Sequence, residues 1–196
     1  MKRLLMICVS LCVSVLAASA MSAAPADFSG SWELDKSKSE MAPGGGQQGT
    51  PDSITWKVTQ AKDTITIESK TVVGGQERPA QTLTYKLDGS ETTAEVPGRG
   101  GQPQKVALKA KWQGDGKILE LTRVRVMNMQ GQDITVTTTE HMELAEGGKL
   151  LKVHSSSETP QGKRESSLLS TKSKPGARDR LEKTASENWR SSTSCC

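Results

Sequence analysis

Aromatic side chains are scarce in this sequence: they make up 3% of its 196 residues, with one phenylalanine, one tyrosine and four tryptophans. A hydrophobic core must therefore be built from valine, isoleucine, leucine and methionine, with the tryptophans as its largest members. Helical periodicity is lacking as well, since no stretch before residue 176 repeats its apolar residues at helical spacing. The length suits one domain with a real core better than two.

Cysteine is also sparse, and its placement excludes a disulfide framework. Cys8 and Cys12 lie in the N-terminal apolar segment, and Cys195 and Cys196 are adjacent at the other end. A bridge between neighbours closes almost no loop, so the last two cysteines form a strained vicinal disulfide, link two chains or lie in a frayed tail. No Cys-x-x-Cys spacing of a zinc or redox site occurs.

The only two histidines are His141 and His154. A metal site needs several convergent ligands, and the sequence supplies no close set, so we expect both histidines to be exposed on strands. No Gly-x-Ser-x-Gly motif is present, and a Ser-His-acid triad is disfavoured. We therefore predict no catalytic residue, no metal and no cofactor, and a protein that is not an enzyme.

The first twenty residues have the order of a secretory signal peptide. Lys2 and Arg3 precede an apolar run from Leu4 to Ala17, and small residues end at Ala20. The apolar run is shorter than the roughly 20 residues of a membrane span, so we predict no integral membrane segment after cleavage. We assign residues 1–26 to the signal, with cleavage after Ala20 or after the second Ala-x-Ala at 24–26, and expect a periplasmic or secreted protein.

Charge divides the remainder into a body and a tail. Residues 163–196 carry eight Lys or Arg and four Asp or Glu, whereas residues 27–162 carry sixteen and eighteen. We assign residues 173–196 to a basic, serine-rich tail, in which residues 176–190 form either a short helix or a disordered segment. Such a tail could attract nucleic acid, but export removes most nucleic acid from reach, so none is predicted as a partner. Oligomeric state stays open.

Alternation of apolar and polar residues predicts a long series of strands in residues 27–172. In ITWKVTQ, Ile54, Trp56 and Val58 share one face, which is typical of an antiparallel sheet with one wet face. The predicted strands lie near 28–35, 54–60, 64–72, 81–87, 91–96, 105–112, 117–128, 132–144, 149–158 and 164–172.

Short, turn-rich connections predict that consecutive strands pair in a meander. A sheet of about ten strands would expose two unpaired edges, and closure into a barrel removes them. The expected fold is therefore all-β: an antiparallel up-and-down meander that closes into a lipocalin-like β-barrel of about 8–10 strands. A two-sheet sandwich is the alternative. Two loops rich in glycine and proline, at 41–52 and 97–103, are expected at the rim.

The opening segment Phe28-Ser29-Gly30-Ser31-Trp32-Glu33-Leu34 resembles the first strand of the calycin superfamily, the lipocalins and fatty-acid-binding proteins, with its Gly-x-Trp. The resemblance implies an eight- or ten-stranded barrel whose bottom is closed by Trp32, beneath an arginine from late in the chain. The layout is also similar to that of small exported bacterial proteins, through the Lys-Ser pair at 36–39, YKLDGSE at 85–91 and WQGDGK at 112–117.

A hairpin turn at Gln130-Gly131 would set the register of two long strands. Leu119 then faces Met142, and Arg123 faces Thr138 and lies diagonal to Glu140 on the more apolar side. A buried charge must be paired or bound, so Arg123 and Glu140 are either ligand anchors or a structural salt bridge. A bulge near Thr122 would instead turn the arginines to solvent.

Together these patterns predict an exported lipocalin-like protein that binds a small, partly apolar ligand in its barrel. The predicted ligand-binding residues are Trp32, Trp56, Trp112, Arg123 and Glu140. Core packing is the ordinary role of the three tryptophans, and pocket lining is a special case of it. The alternative is a non-catalytic structural or surface-interaction protein with a packed interior.

Overall fold

The computed structural model describes residues 24–41, 50–98, 102–129 and 131–173. Most of the predicted signal peptide lies outside these ranges, as do residues 42–49 and 99–101 of the two predicted rim loops. The predicted helix at 176–190 and Cys195 and Cys196 are also outside the described residues. Within the described ranges, no helix has the length and apolar character needed to cross a bilayer.

The described chain is all-β, as predicted. Its strands are β1 Gly30–Leu34, β2 Ser53–Gln60, β3 Thr64–Val73, β4 Gln76–Glu77, β5 Gln81–Lys86, β6 Thr92–Pro97, β7 Pro103–Gln113, β8 Ile118–Met129, β9 Gln132–Ala145, β10 Leu150–Thr159 and β11 Gly162–Lys172. Each of the ten predicted strands has a counterpart among them. The sequence pattern missed only β4, which is too short to show alternation.

The strands form one antiparallel, curled sheet in which β1 lies between β2 and β11. Trp32 is paired with Trp56 on one side and with Lys172 on the other. The last strand therefore pairs with the first, and the calycin-like barrel topology that the resemblance implies is confirmed.

The curled sheet is open at one seam, between β5 and β6. Strand β5 pairs with β3, and β6 pairs with β7, but the described residues form no backbone ladder between β5 and β6. The two strands lie side by side there, and the Thr92 hydroxyl donates to the Thr84 carbonyl at 3.0 Å. This side-chain hydrogen bond thus links β5 and β6 where no backbone ladder joins them.

Alternation along the strands builds the core on the concave face of the sheet. In β5, Leu83 and Tyr85 are buried between exposed neighbours, and in β7, Val106, Leu108 and Ala110 are buried. The largest fully buried side chains include Trp32, Tyr85, Phe28, Ile65, Leu108, Leu119, Leu121 and Leu151. Of the described aromatic residues, Phe28, Trp32 and Tyr85 are thus fully buried, and Trp56 and Trp112 pack against the core.

The segment before β1 caps one end of the barrel, which we call the closed end. The Phe28 ring stacks on Trp112, with centroids 6.0 Å apart and planes inclined by 18°. The Ala26 N–H donates to the Gly116 carbonyl at 2.8 Å, and the Gln60 amide donates to the Ala26 carbonyl at 2.9 Å. Residues 26–28 are thus an integral part of the folded domain.

Two similar glycine turns lie on either side of the β8–β9 hairpin, Gly114–Gly116 before β8 and Glu146–Gly148 after β9. Each has three successive residues with positive φ, ending at Gly116 and Gly148, both with φ of 82°. Their surroundings differ: a Cβ on Gly116 would lie 3.1 Å from Pro25 Cα, whereas nothing lies within 4 Å of one on Gly148. The N-terminal segment packs on the first turn only.

We predict that Gly116→Ala and Gly148→Ala each lower the free energy of unfolding by about 1–2 kcal/mol, because both force a side chain into the left-handed region. Gly116→Ala is expected to cost more, since Pro25 must also move. Urea denaturation followed by tryptophan fluorescence measures the difference. Equal losses would mean that residues 24–26 do not pack on the first turn in solution.

Candidate ligand-binding site

Strands β8 and β9 have the register predicted from the Gln130-Gly131 turn. Leu119 pairs with Met142, Arg123 with Thr138 and Arg125 with Val136. Because Leu119, Leu121 and Met142 are buried, the odd-numbered side chains of β8 face the interior. Pairing runs without interruption through Thr122 and Thr139, so the alternative with a bulge near Thr122 is wrong.

A cavity of about 100 Å³ lies inside the barrel, between β2–β3 on one wall and β9–β11 on the other. Most of its lining is apolar, and its polar members are one carboxylate and two hydroxyls. The lining residues are Trp56, Val58, Ile67, Glu140, Met142, Leu151, Val153, Ser155, Ser166 and Leu168. The cavity can therefore hold an apolar group beside a polar one.

The three predicted tryptophans take different positions. Trp56 lines the cavity. Trp32 is fully buried at the closed end, where its indole N–H donates to the Phe28 carbonyl at 3.0 Å. Trp112 is half-buried against Phe28. The structure therefore brings only Trp56 to the cavity surface, while Trp32 and Trp112 pack the closed end.

A cation from the last strand lies over Trp32. The Lys172 ammonium is 5.4 Å from the centroid of the indole, within the range of a cation–π contact. The resemblance implied an arginine at this place, and the chain has a lysine instead. Since Lys172 also pairs with Trp32 through the backbone, the contact lies on the β1–β11 ladder that joins the ends of the sheet.

Arg123 and Glu140 form the ion pair that the register predicted, with 3.9 Å between Nη2 and Oε1. Their side chains are 28% and 30% exposed, so solvent still reaches both of them. Glu140 lines the cavity and Arg123 does not. The pair places a carboxylate at the cavity wall with its counterion on the side away from the lining.

Tyr85, on the opposite wall of the barrel, is close enough to Arg123 and Glu140 for both charges to act on its hydroxyl. It is almost fully buried. Burial is the main cause that raises the pKa of Tyr85 above its ordinary value; the charge of Glu140 raises it further, and that of Arg123 lowers it. The phenol therefore stays protonated, as a hydrogen-bond donor, across the physiological range.

A second arginine follows Arg123 on the inner face of β8. Burial lowers the pKa of Arg125, and the positive charge of Arg123 lowers it further. Within the described residues, the one salt bridge to either arginine is that between Arg123 and Glu140. The inner face of β8 thus has two neighbouring cations, one of which is paired with Glu140.

Hydroxyl groups complete the polar part of the inner wall. Thr138 is 8% exposed, and its hydroxyl is 2.8 Å from that of Ser157. Ser155 pairs with both Glu140 and Ser166 across the β9–β10–β11 ladder. Ser155 is thus the hydroxyl residue directly opposite Glu140, while Thr138 and Ser157 bond to each other.

Several residues of this wall were not in the predicted site: Ile67, Met142, Val153, Leu168, Tyr85 and Arg125. Strand alternation placed Tyr85 and Arg125 on apolar faces, so the signal for an inward side chain was present. The alternation could not predict which residues on the opposite wall of the barrel Tyr85 and Arg125 would lie near. Contacts between β5 and β8, or between β2 and β11, depend on the curl of the whole sheet.

The single tyrosine makes its ionisation measurable. We predict that the tyrosinate absorbance of the folded chain stays flat through pH 10, near which the unfolded chain in urea titrates. Because the folded pKa is raised, the stability linked to Tyr85 is present below pH 10 and is lost as pH rises above it. A folded-state titration at the ordinary value would show that Tyr85 is hydrated.

Comparisons with known proteins give limited similarity. No protein-family model and no curated protein matches the sequence. Among solved structures, the chain is similar to the zebrafish ileal bile acid-binding protein complexed with cholic acid. The identity is 18% and the TM-score 0.44, over 74% of this chain and 98% of the other. At this level the similarity identifies neither a family nor a ligand for this chain.

Proposed function

We propose that this protein binds a small, partly apolar molecule inside its barrel and does so without catalysis. The observation that carries the proposal is the cavity of about 100 Å³, lined by seven apolar side chains around Glu140, Ser155 and Ser166. Ligand pockets combine such an apolar lining with a few placed polar groups. The apolar part of the ligand would lie against Trp56 and Leu168.

The polar part of the ligand would lie at the Arg123–Glu140 pair. With an N–O distance of 3.9 Å and partial exposure, the pair is open enough for a ligand group to bond to either member. Glu140 is the member on the cavity surface and accepts hydrogen bonds, and its partner Arg123 donates them. These groups would orient the ligand.

The size of the cavity limits what can enter. Pockets for drug-sized ligands have volumes of about 300–1,000 Å³. A space of about 100 Å³ accommodates a fragment or one end of a longer molecule. The small volume also supports the second candidate function, a structural or surface-interaction protein whose interior is largely packed.

Binding can be measured through Trp56. We expect a shift in tryptophan emission when the mature chain is titrated with a panel of fatty acids, retinoids and haem-like compounds. Trp56→Phe should abolish the shift, because Trp56 alone among the described tryptophans lines the cavity. Trp112→Phe is the matched control and should retain it.

A second pair of variants tests the cavity itself. Val153→Trp fills it and should weaken binding at least about tenfold, or 1.4 kcal/mol, whereas Val124→Trp, on the outer face, should leave binding unchanged. Circular dichroism checks that both variants fold. If no compound of the panel shifts the emission of the folded chain, the packed-interior function is favoured.

We further propose that the protein is exported. The support is the order of charge, apolar run and small residues in the first twenty positions. The contacts of Pro25 and Ala26 at the closed end favour the earlier of the two cleavage sites. Cleavage after Ala26 would remove the Gly116 and Gln60 hydrogen bonds and leave Gly116 uncovered.

Expression of the full chain in a Gram-negative host should therefore yield a periplasmic or secreted product whose first residue is Met21. N-terminal sequencing and intact mass measure this directly. A product that begins at Asp27 would contradict the structural role of residues 25 and 26. A product that keeps Met1 would contradict export with cleavage.

A further inference from the structure

The only two histidines of the chain lie directly opposite each other on the outer face of the barrel. His141 of β9 pairs with His154 of β10. Their neighbours Met142 and Val153 also pair, and both of these are buried. Because side chains alternate between the faces of a strand, both imidazoles stand on the solvent side. His154 is exposed and His141 half-buried.

The register places the two rings at a separation that one metal ion can span. Directly opposite residues of antiparallel strands have Cβ atoms about 4.5–5.5 Å apart. An imidazole nitrogen binds zinc at about 2.0–2.1 Å, and imidazole also suits copper and nickel. Two rings that project from such a pair can therefore bind the same ion from its two sides.

Glu120 of β8 is placed as a supporting carboxylate for His141. It pairs with His141 across the ladder, and its Oε2 is 3.2 Å from the His141 Nε2. A metal-binding histidine usually donates its other ring N–H to a carboxylate, which fixes the tautomer. With Nε2–H bonded to Glu120, the Nδ1 lone pair of His141 is the one left for a metal. The Gln113 amide donates to the same carboxylate.

An open depression lies beside His154 on the side of β11 and does not include His141, so water can reach the His154 ring. The depression, of about 300 Å³, is lined by Glu40, Met41, His154, Glu165, Ser166 and Ser167. Glu40 adds negative charge to this depression, whereas Glu165 is already paired with the Lys163 ammonium at 2.7 Å. Among the described residues, no group of three or more His, Cys, Asp or Glu side chains converges as a metal site, so water would complete the coordination.

We propose that His141 and His154 form a surface site for a divalent transition-metal ion, with Glu120 as its supporting carboxylate. Borderline metals that accept imidazole are the expected class, and Cu²⁺ should bind most tightly of the divalent ions. The site lies on the opposite face of the sheet from the cavity, so it does not depend on the proposed ligand binding.

The test is a titration of the full chain with Cu²⁺ alone, followed by calorimetry and electron paramagnetic resonance. We expect one site that couples the ion to two imidazole nitrogens. His141→Ala and His154→Ala should each lower the affinity more than about tenfold, and Glu120→Gln about tenfold, the scale of outer-shell effects. Since the ion binds the folded state, Cu²⁺ should raise Tm of the original chain and not of the variants.

Two controls make the result decisive. Ser156→Ala alters the half-buried residue that follows His154 on the outer face of β10 and should leave the affinity unchanged. A variant in which Cys8, Cys12, Cys195 and Cys196 are all replaced by serine removes the thiol ligands of the chain and should retain the two-nitrogen signal. Equal affinity in the original chain and both histidine variants would overturn the proposal, as would loss of the signal in the cysteine variant alone.

Discussion

The pairing of β1 with β11 is the interaction on which the rest of the structure depends. β1 has five residues, yet it joins the first half of the sheet to the second, through Trp32 and its partners Trp56 and Lys172. The cavity lies across this junction, since its walls are β2–β3 on one side and β9–β11 on the other. Without the junction, Trp56 and Leu168 would belong to separate edges of an open sheet. Trp32 is fully buried at this point. Its indole N–H donates to the Phe28 carbonyl, and the Lys172 ammonium lies over its ring.

The interior is divided chemically along the barrel axis. The closed end is filled by Phe28, Trp32 and Leu119, whereas charged and hydroxyl groups begin at Glu140. A charged pair in such a place is weak support for stability, because desolvation offsets much of its attraction. An apolar pair at these positions would pack at least as well. The Arg123–Glu140 pair, 3.9 Å apart and partly exposed, therefore contributes little to the stability of the barrel.

Local patterns predicted most of the fold but only part of the site. Alternation located ten of the eleven described strands, and the turn predicted at 130–131 gave the observed β8–β9 register, so the Arg123–Glu140 contact was accessible from sequence. Contacts across the lumen were not accessible from sequence, because the proximity of Tyr85 to Glu140 depends on how far the sheet curls. The His141–His154 pair was missed for a different reason. The Glu146–Gly148 turn has three successive residues of positive φ, and standard two-residue hairpin geometry does not predict the β9–β10 register that it produces.

The register between β9 and β10 determines which side chains lie on the inner face of the sheet and which on the outer face. Glu140 faces the cavity and pairs with Ser155, while the adjacent His141 faces solvent and pairs with His154. A shift of one residue between β9 and β10, with β9 held in place, would turn β10 over and place the His154 imidazole in the apolar lumen. Such a shift would bury Lys152 and His154 in place of Val153, which the apolar core opposes strongly. The burial of Met142 and Val153 therefore positions both the inner carboxylate and the outer histidine pair, although neither residue carries a polar group of its own.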